Sequence, residues 1–149
     1  MDLSLNDEQL MLADAVRDLF SDSEGDPTAG GDSPEVALEF RRDIWTQGAE
    51  LGLTALPVAE DYDGAGAGIT DIWAATHALG TLCAPEPLTD AAHVPSWIIA
   101  DLGTAEQKAD LLARISVGEA IVPLAHAEAG TGWTSDRTAT VTDGALTGT

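Results

Sequence analysis

Glu50-Leu51-Gly52-Leu53-Thr54-Ala55-Leu56-Pro57-Val58-Ala59-Glu60-Asp61-Tyr62-Asp63-Gly64-Ala65-Gly66-Ala67-Gly68 decides the class of fold. Leu51 closes an apolar stripe of helical spacing made of Val36, Phe40, Ile44 and Leu51, with Trp45 beside it. Gly52 is placed to end that helix in a left-handed conformation. The run 53–58 is apolar and short enough for a strand, but Pro57 lacks the N–H that a central strand must donate. It reads as an extended linker. Residues 60–68 run from three acids around Tyr62 into alternating glycine and alanine and must form a loop. Helix, linker and loop replace strand, loop and helix, so a βαβ unit is not expected here. The glycines are spaced G-x-G-x-G rather than G-x-G-x-x-G, and no lysine follows for a phosphate loop, so the stretch reads as a tight turn.

Helical signals continue on both sides. Upstream, Ser4 to Asp7 fits a capping box, and Leu5, Leu12, Val16, Leu19 and Phe20 follow with helical spacing. Residues 21–33 contain Gly25, Gly30 and Gly31 and no large apolar residue, which predicts a surface loop. Ser33-Pro34-Glu35 starts the next helix. Downstream, a third helix runs from Ile69 or Thr70 to Leu79 and stops at Gly80. Ala84-Pro85-Glu86-Pro87 is not helical, because each proline biases its predecessor away from the helical region. A fourth helix starts at Thr89, with a kink or late start at Pro95 and Trp97, Ile98 and Leu102 buried, and ends at Gly103. Thr104 and Gln107 cap a fifth, closed by Gly118. The expected core is Leu12, Val16, Phe40, Ile44, Trp73, Leu79, Leu111, Leu112 and Ile115.

After Gly118 the pattern turns to strands. Residues 120–125 read as one, and 138–142 and 145–147 flank Asp143-Gly144, a strong hairpin signal. Two or three strands cannot bury a two-sided core. The expected architecture is therefore mainly α: a helical domain over 1–118, then the first strands of an incomplete β domain over 119–149.

Charge and composition exclude several functions. The chain has 149 residues, 26 acidic against 6 basic, and a formal charge of −20. Such a charge repels phosphate backbones and anionic membrane surfaces, so nucleic acid and membrane are not expected partners. The apolar stretches fall far below the ~20 residues of a membrane span, and no targeting segment is visible. The expected compartment is the cytoplasm. With 25 Ala, five Arg and the single Lys108, the composition fits a GC-rich bacterial genome and tolerance of salt. Cys83 is the one cysteine and reads as a small buried apolar residue.

Catalytic and metal motifs are not apparent. Asp61, Asp63 and Asp71 lack the remaining ligands of a calcium loop and read as solvated carboxylates. His77, His93 and His126 lack metal-ligand spacing, and His77 reads as a hydrogen-bonded helix residue. No G-x-S-x-G elbow is present. Trp45, Trp73 and Trp97 sit at helix positions consistent with core. Trp133 lies in a Gly/Thr-rich loop, where a flat aromatic can cover a ligand.

The order of these elements resembles one family. Leu5-Asn6-Asp7-Glu8-Gln9, the run from Trp45 through Gly52-Leu53 and Pro57 to Gly66, Ala84-Pro85-Glu86-Pro87-Leu88, Gly103 to Lys108, and Leu112…Ile115…Gly118-Glu119 are together similar to the flavin-dependent acyl-CoA dehydrogenases. The resemblance covers nearly the whole chain. It implies that FAD and an acyl-CoA thioester are held between an N-terminal helical domain, a middle β domain and a C-terminal helical domain. A glutamate takes the α-proton, and the β-hydride passes to the flavin. Electrons then leave to an electron-transfer flavoprotein, and the protein is a homo- or hetero-oligomer.

The resemblance also implies a cofactor-binding segment. The family's Thr-Glu-Pro-x-x-Gly-Ser-Asp run matches Ala127-Glu128-Ala129-Gly130-Thr131-Gly132-Trp133-Thr134-Ser135-Asp136. Leu124, His126, Ala127, Gly132, Trp133 and Thr134 are thereby the expected FAD contacts. Ala127 stands at the flavin-contacting threonine, where its backbone N–H can serve in place of the lost hydroxyl. Trp133 stands at the usual serine, unless Ser135-Asp136 takes that place through a two-residue insertion. No catalytic residue and no metal ligand is assigned in these 149 residues. The expected function is thus the N-terminal part of an acyl-CoA dehydrogenase, inactive as the isolated chain. The alternatives are a non-catalytic subunit and an acidic helical interaction module without cofactor.

Overall fold

The computed structural model describes residues 4–21, 40–125 and 138–148. The helical elements are α1 (Asp7–Phe20), α2 (Arg42–Glu50), α3 (Ile69–Thr81) and α4 (Val94–Leu102), the last led in by a π-helical turn at Thr89–His93. α5 comes next in three parts: Ala105–Gln107, a π-helical Lys108–Leu112 and Ala113–Ser116. β1 (Thr140–Thr142) and β2 (Ala145–Thr147) form one antiparallel hairpin. The expected helix start at Ser33-Pro34-Glu35, Val36 and the loop beyond Ser21 lie outside the described residues. Among those described, residues 53–102 contain no strand.

α1 is capped by Asn6, not by Ser4. The Gln9 N–H donates to Asn6 Oδ1 at 2.8 Å, and the Asn6 N–H donates to Gln9 Oε1 at 3.0 Å. This reciprocal pair satisfies two amides that a helix start leaves orphaned. Gln9 has a second use. Its Nε2 donates to Asp71 Oδ1 at 2.8 Å, while Asp71 Oδ2 accepts the Gly68 N–H at the start of α3. Ala13, Val16 and Phe20 of α1 share the core with Ile72, Ala75, Ala78 and Leu79 of α3.

α2 begins later than its stripe suggests. Arg41 is extended, with φ −97° and ψ 99°, so Phe40 falls outside the helix and is 37% exposed. Its ring meets Trp45 edge-on at 6.0 Å. Ile44 and Trp45 are buried, but Leu51 is half exposed. Gly52 takes φ 84° as expected of the helix end. Residues 53–58 are not extended. They coil in successive turns, with the Leu53 N–H on Gly48 O, the Ala55 N–H on Gly52 O and the Val58 N–H on Ala55 O. This coiling buries Leu53, Leu56 and Val58.

Trp73 is half exposed, contrary to the core expectation. The inner face of α3 is built from Ile72, Ala74, Ala75, Ala78 and Leu79, three of them alanine, and Trp73 falls outside it. α3 passes Gly80, and the chain turns instead at Cys83, which has φ 49° and is exposed rather than buried. Trp97, Ile98 and Leu102 also point outward. The wide turn at Thr89–His93 holds an extra residue and rotates the helical phase carried into α4, so Ala91, Ala92, His93 and Ser96 face inward instead. In α5 the Thr104–Gln107 box is present, and Leu112 and Ile115 are buried; Leu111, like Leu12, is only half-buried.

Residues 120–125 form no strand. The Ala120 N–H donates to Arg114 O and the Val122 N–H to Ala91 O, two isolated bonds rather than a ladder. A strand needs a neighbour, and among the described residues the only sheet is the hairpin. There Asp143 (φ 51°) and Gly144 (φ 77°) both take left-handed conformations, as the sequence pair requires. Val141 pairs with Leu146, and both are exposed.

Candidate functional site

The loop between α2 and α3 closes on itself. The Tyr62 and Gly64 N–H groups donate to Ala59 O, Gly66 N–H to Val58 O at 2.7 Å, Ala65 N–H to Ala55 O and Ala67 N–H to Leu56 O. A phosphate cradle needs its amides turned outward; these are held by the chain's own carbonyls. A Cβ on Gly64 would lie 2.0 Å from Val58 O, which explains the glycine by close backbone approach. The loop is tied to the end of α5. Ser116 Oγ donates to Asp63 O at 2.5 Å, and Thr54 Oγ1 donates to Ser116 O at 2.8 Å.

A groove of about 160 Å³ lies between α3 and the Thr89–Leu102 helical stretch, lined by Ile69, Ile72, Trp73, Thr76, Thr89, His93 and Trp97. Its floor includes His93, a fully buried residue whose Nε2 lies 2.8 Å from Leu53 O. Since a carbonyl only accepts, Nε2 carries the proton, and Nδ1 is left as a buried acceptor with no partner among the described residues. Burial pushes the His93 pKa below its ordinary value, opposed by the bond to Leu53. His77 is exposed and its ring lies against Trp73 at 4.9 Å, with no side-chain hydrogen bond among the described residues, rather than being hydrogen-bonded through its ring. Near the same helix start, Glu86 is 4% exposed, and neither carboxylate oxygen has a partner among the described residues. Nothing in the Ala84–Pro87 pattern signals this burial, which only the packing of the Pro-rich turn creates. No group of three or more His, Cys, Asp and Glu among the described residues could hold a metal ion.

Of the expected flavin contacts, Leu124 is described. It is 43% exposed, at the end of the segment that Val122 pins to Ala91. His126, Ala127, Gly132, Trp133 and Thr134 lie outside the described residues.

The sequence pattern of the acyl-CoA dehydrogenase N-terminal domain matches residues 6–119. The chain belongs to the acyl-CoA dehydrogenase family. Solved structures agree. A chain from a variant of the Tcur3481-Tcur3483 steroid ACAD is 27% identical with a TM-score of 0.69, over 86% of this chain and 35% of that one. A chain of the ChsE4-ChsE5 complex from Mycobacterium tuberculosis shares the fold at TM-score 0.72 and 19% identity, over 88% of this chain and 36% of that one. A chain from the structure of the electron transferring flavoprotein of Acidaminococcus fermentans is 25% identical at TM-score 0.59, over 81% of this chain and 32% of that one. The acyl-CoA dehydrogenase domain described here therefore spans about a third of the length of the solved chains it resembles. No curated protein sequence matches it. Among the described residues, no helix is long and apolar enough to cross a membrane.

Proposed function

We propose that this chain supplies the N-terminal helical domain, and the opening of the β domain, of an FAD-dependent enzyme that oxidises an acyl-CoA thioester at its α,β bond. The family match over residues 6–119 carries the reading. The flavin, when bound, accepts the hydride. This chain's part is to shape one wall of its site. Leu124, with backbone groups and side chains of His126, Ala127, Gly132, Trp133 and Thr134, makes that wall. Backbone donors persist through side-chain change, so Ala127 does not remove the contact. The half-exposed position of Leu124 suits contact with a planar ring. The base that takes the α-proton lies outside these residues. An electron-transfer flavoprotein is the acceptor, and the cytoplasm the compartment. A steroid ACAD stands among the similar structures, so ring-bearing acyl thioesters belong beside straight-chain ones in any assay.

A second reading is a non-catalytic subunit that completes its site only with a different chain. The likeness of this fold to a chain of the ChsE4-ChsE5 complex supports it.

Half a site cannot bury 70–90% of a ligand, as small-molecule sites typically do. Flavin fluorescence is therefore expected to show no stoichiometric FAD on the 149-residue chain alone. Retention is expected in an assembly with the remaining two domains, supplied in the same chain or by a partner. Tight one-to-one binding by the chain alone would overturn the half-site.

A further inference from the structure

We propose that dissolved monovalent cations set the stability of this fold by screening its own carboxylates, most of all where α1 faces α2.

The ion pairs among the described residues engage four of the chain's 26 acids: Asp14 with Arg17, Asp43 with Arg41, and Asp110 and Glu119 with Arg114. All are exposed pairs, which high dielectric weakens. Arg42 lies over the Phe40 ring at 5.6 Å. Lys108 and Arg137 complete the basic set. The surface thus has few cations left to offset the remaining acids. Each of α1, α2, α3 and α4 carries more acids than Lys and Arg.

One place concentrates the imbalance. The groove between α1 and α2 is lined by Ala15, Asp18, Leu19, Gln47, Glu50 and Leu51. Its two ionisable side chains are both acids, one from each helix. The other charged groups of α1 are Asp7, Glu8, Asp14 and Arg17, and those of α2 are Arg42 and Asp43. Arg17 is held by Asp14 at 2.7 Å. Closing α1 on α2 therefore brings like charge to like charge, and self-repulsion destabilises the compact state.

Screening has a recognisable concentration range. The Debye length is ~30 Å at 0.01 M salt and ~8 Å at 0.15 M, so most of the relief comes before about 0.2 M. Salting-out effects instead grow at higher concentration and depend on the anion.

Thermal unfolding of the 149-residue chain at pH 7.5, followed by circular dichroism, tests this in KCl and in potassium thiocyanate from 0.01 M to 1 M. The expected result is a midpoint rise of about 5 °C or more between 0.01 and 0.2 M, alike in both salts. Glu50→Lys and Asp18→Asn are expected to raise the midpoint at 0.01 M and to leave it nearly unchanged at 1 M. A midpoint flat to 0.2 M overturns the proposal. So does a rise confined to KCl above 0.5 M, an equal shift of both variants at low and high salt, or the lack of a cooperative transition at every concentration.

Discussion

Trp45 donates its indole N–H to the carbonyl of Gly118 at 2.9 Å, across 73 positions of sequence. The bond holds the end of α5 against α2. Gly118 itself has φ 72°, and a Cβ there would lie 2.4 Å from the Ala49 Cβ. Gly118→Ala meets backbone strain and steric overlap together, so a loss of about 2–4 kcal/mol is expected in urea unfolding. Trp45→Phe keeps the ring packing but leaves the carbonyl without its donor, for about 1–3 kcal/mol.

Gly64→Ala places a methyl 2.0 Å from Val58 O, within a loop whose amides are already committed. A loss of more than about 2 kcal/mol is expected, because the obstacle is backbone and cannot swing aside. Gly80→Ala is the control: a Cβ there meets nothing within 4 Å. It is expected to be neutral or slightly stabilising in the same measurement.

Phe40→Ala is expected to cost only about 1 kcal/mol, the scale of an aromatic pair rather than of a buried core ring. The ring is 37% exposed and touches Trp45 by its edge. A loss of about 3–5 kcal/mol, as for a fully buried Phe, would contradict that placement.

His93 gives the fold an acid sensitivity. Burial lowers its folded pKa from the ordinary 6.5, so on acidification the unfolded chain takes the proton first. Its contribution to stability is complete above 6.5 and falls as pH drops below that value. At 0.3 M KCl, stability measured by urea unfolding between pH 7.5 and 5 is expected to decline through this window. His93→Gln, whose amide N–H can still reach Leu53 O, is expected to flatten the decline.

The sequence made the helices legible through their ends. Gly52 and Gly118 take the left-handed conformations their positions suggest, Thr104 and Gln107 pair as a capping box, and Asp143-Gly144 turns the hairpin. Faces were harder to read. The wide turn at Thr89–His93 shifts helical phase by a residue, which no periodicity count anticipates, and so Trp97 and Leu102 emerge outside. Helical spacing is compatible with a buried Trp73, whereas the inner face of α3 is instead carried by Ile72, Ala74, Ala75, Ala78 and Leu79. The 120–125 run has strand composition but no neighbouring strand among the described residues, and strand pairing is not a local property. Of the candidate site, the family was readable from ordered short motifs. Buried Glu86 and the orphaned Nδ1 of His93 were not, since both depend on packing between distant segments.

Asp71 serves two helix starts with one carboxylate. One oxygen holds the Gly68 N–H where α3 begins, and the other holds the Gln9 amide that caps α1. Fraying is ordinarily a private event, each helix end opening on its own. Here the first turns of α1 and α3 share a latch. Asp71→Ala should therefore speed amide exchange not only at the start of α3 but also in the first turn of α1, 62 positions away along the chain. The two ends are expected to open as one cooperative unit.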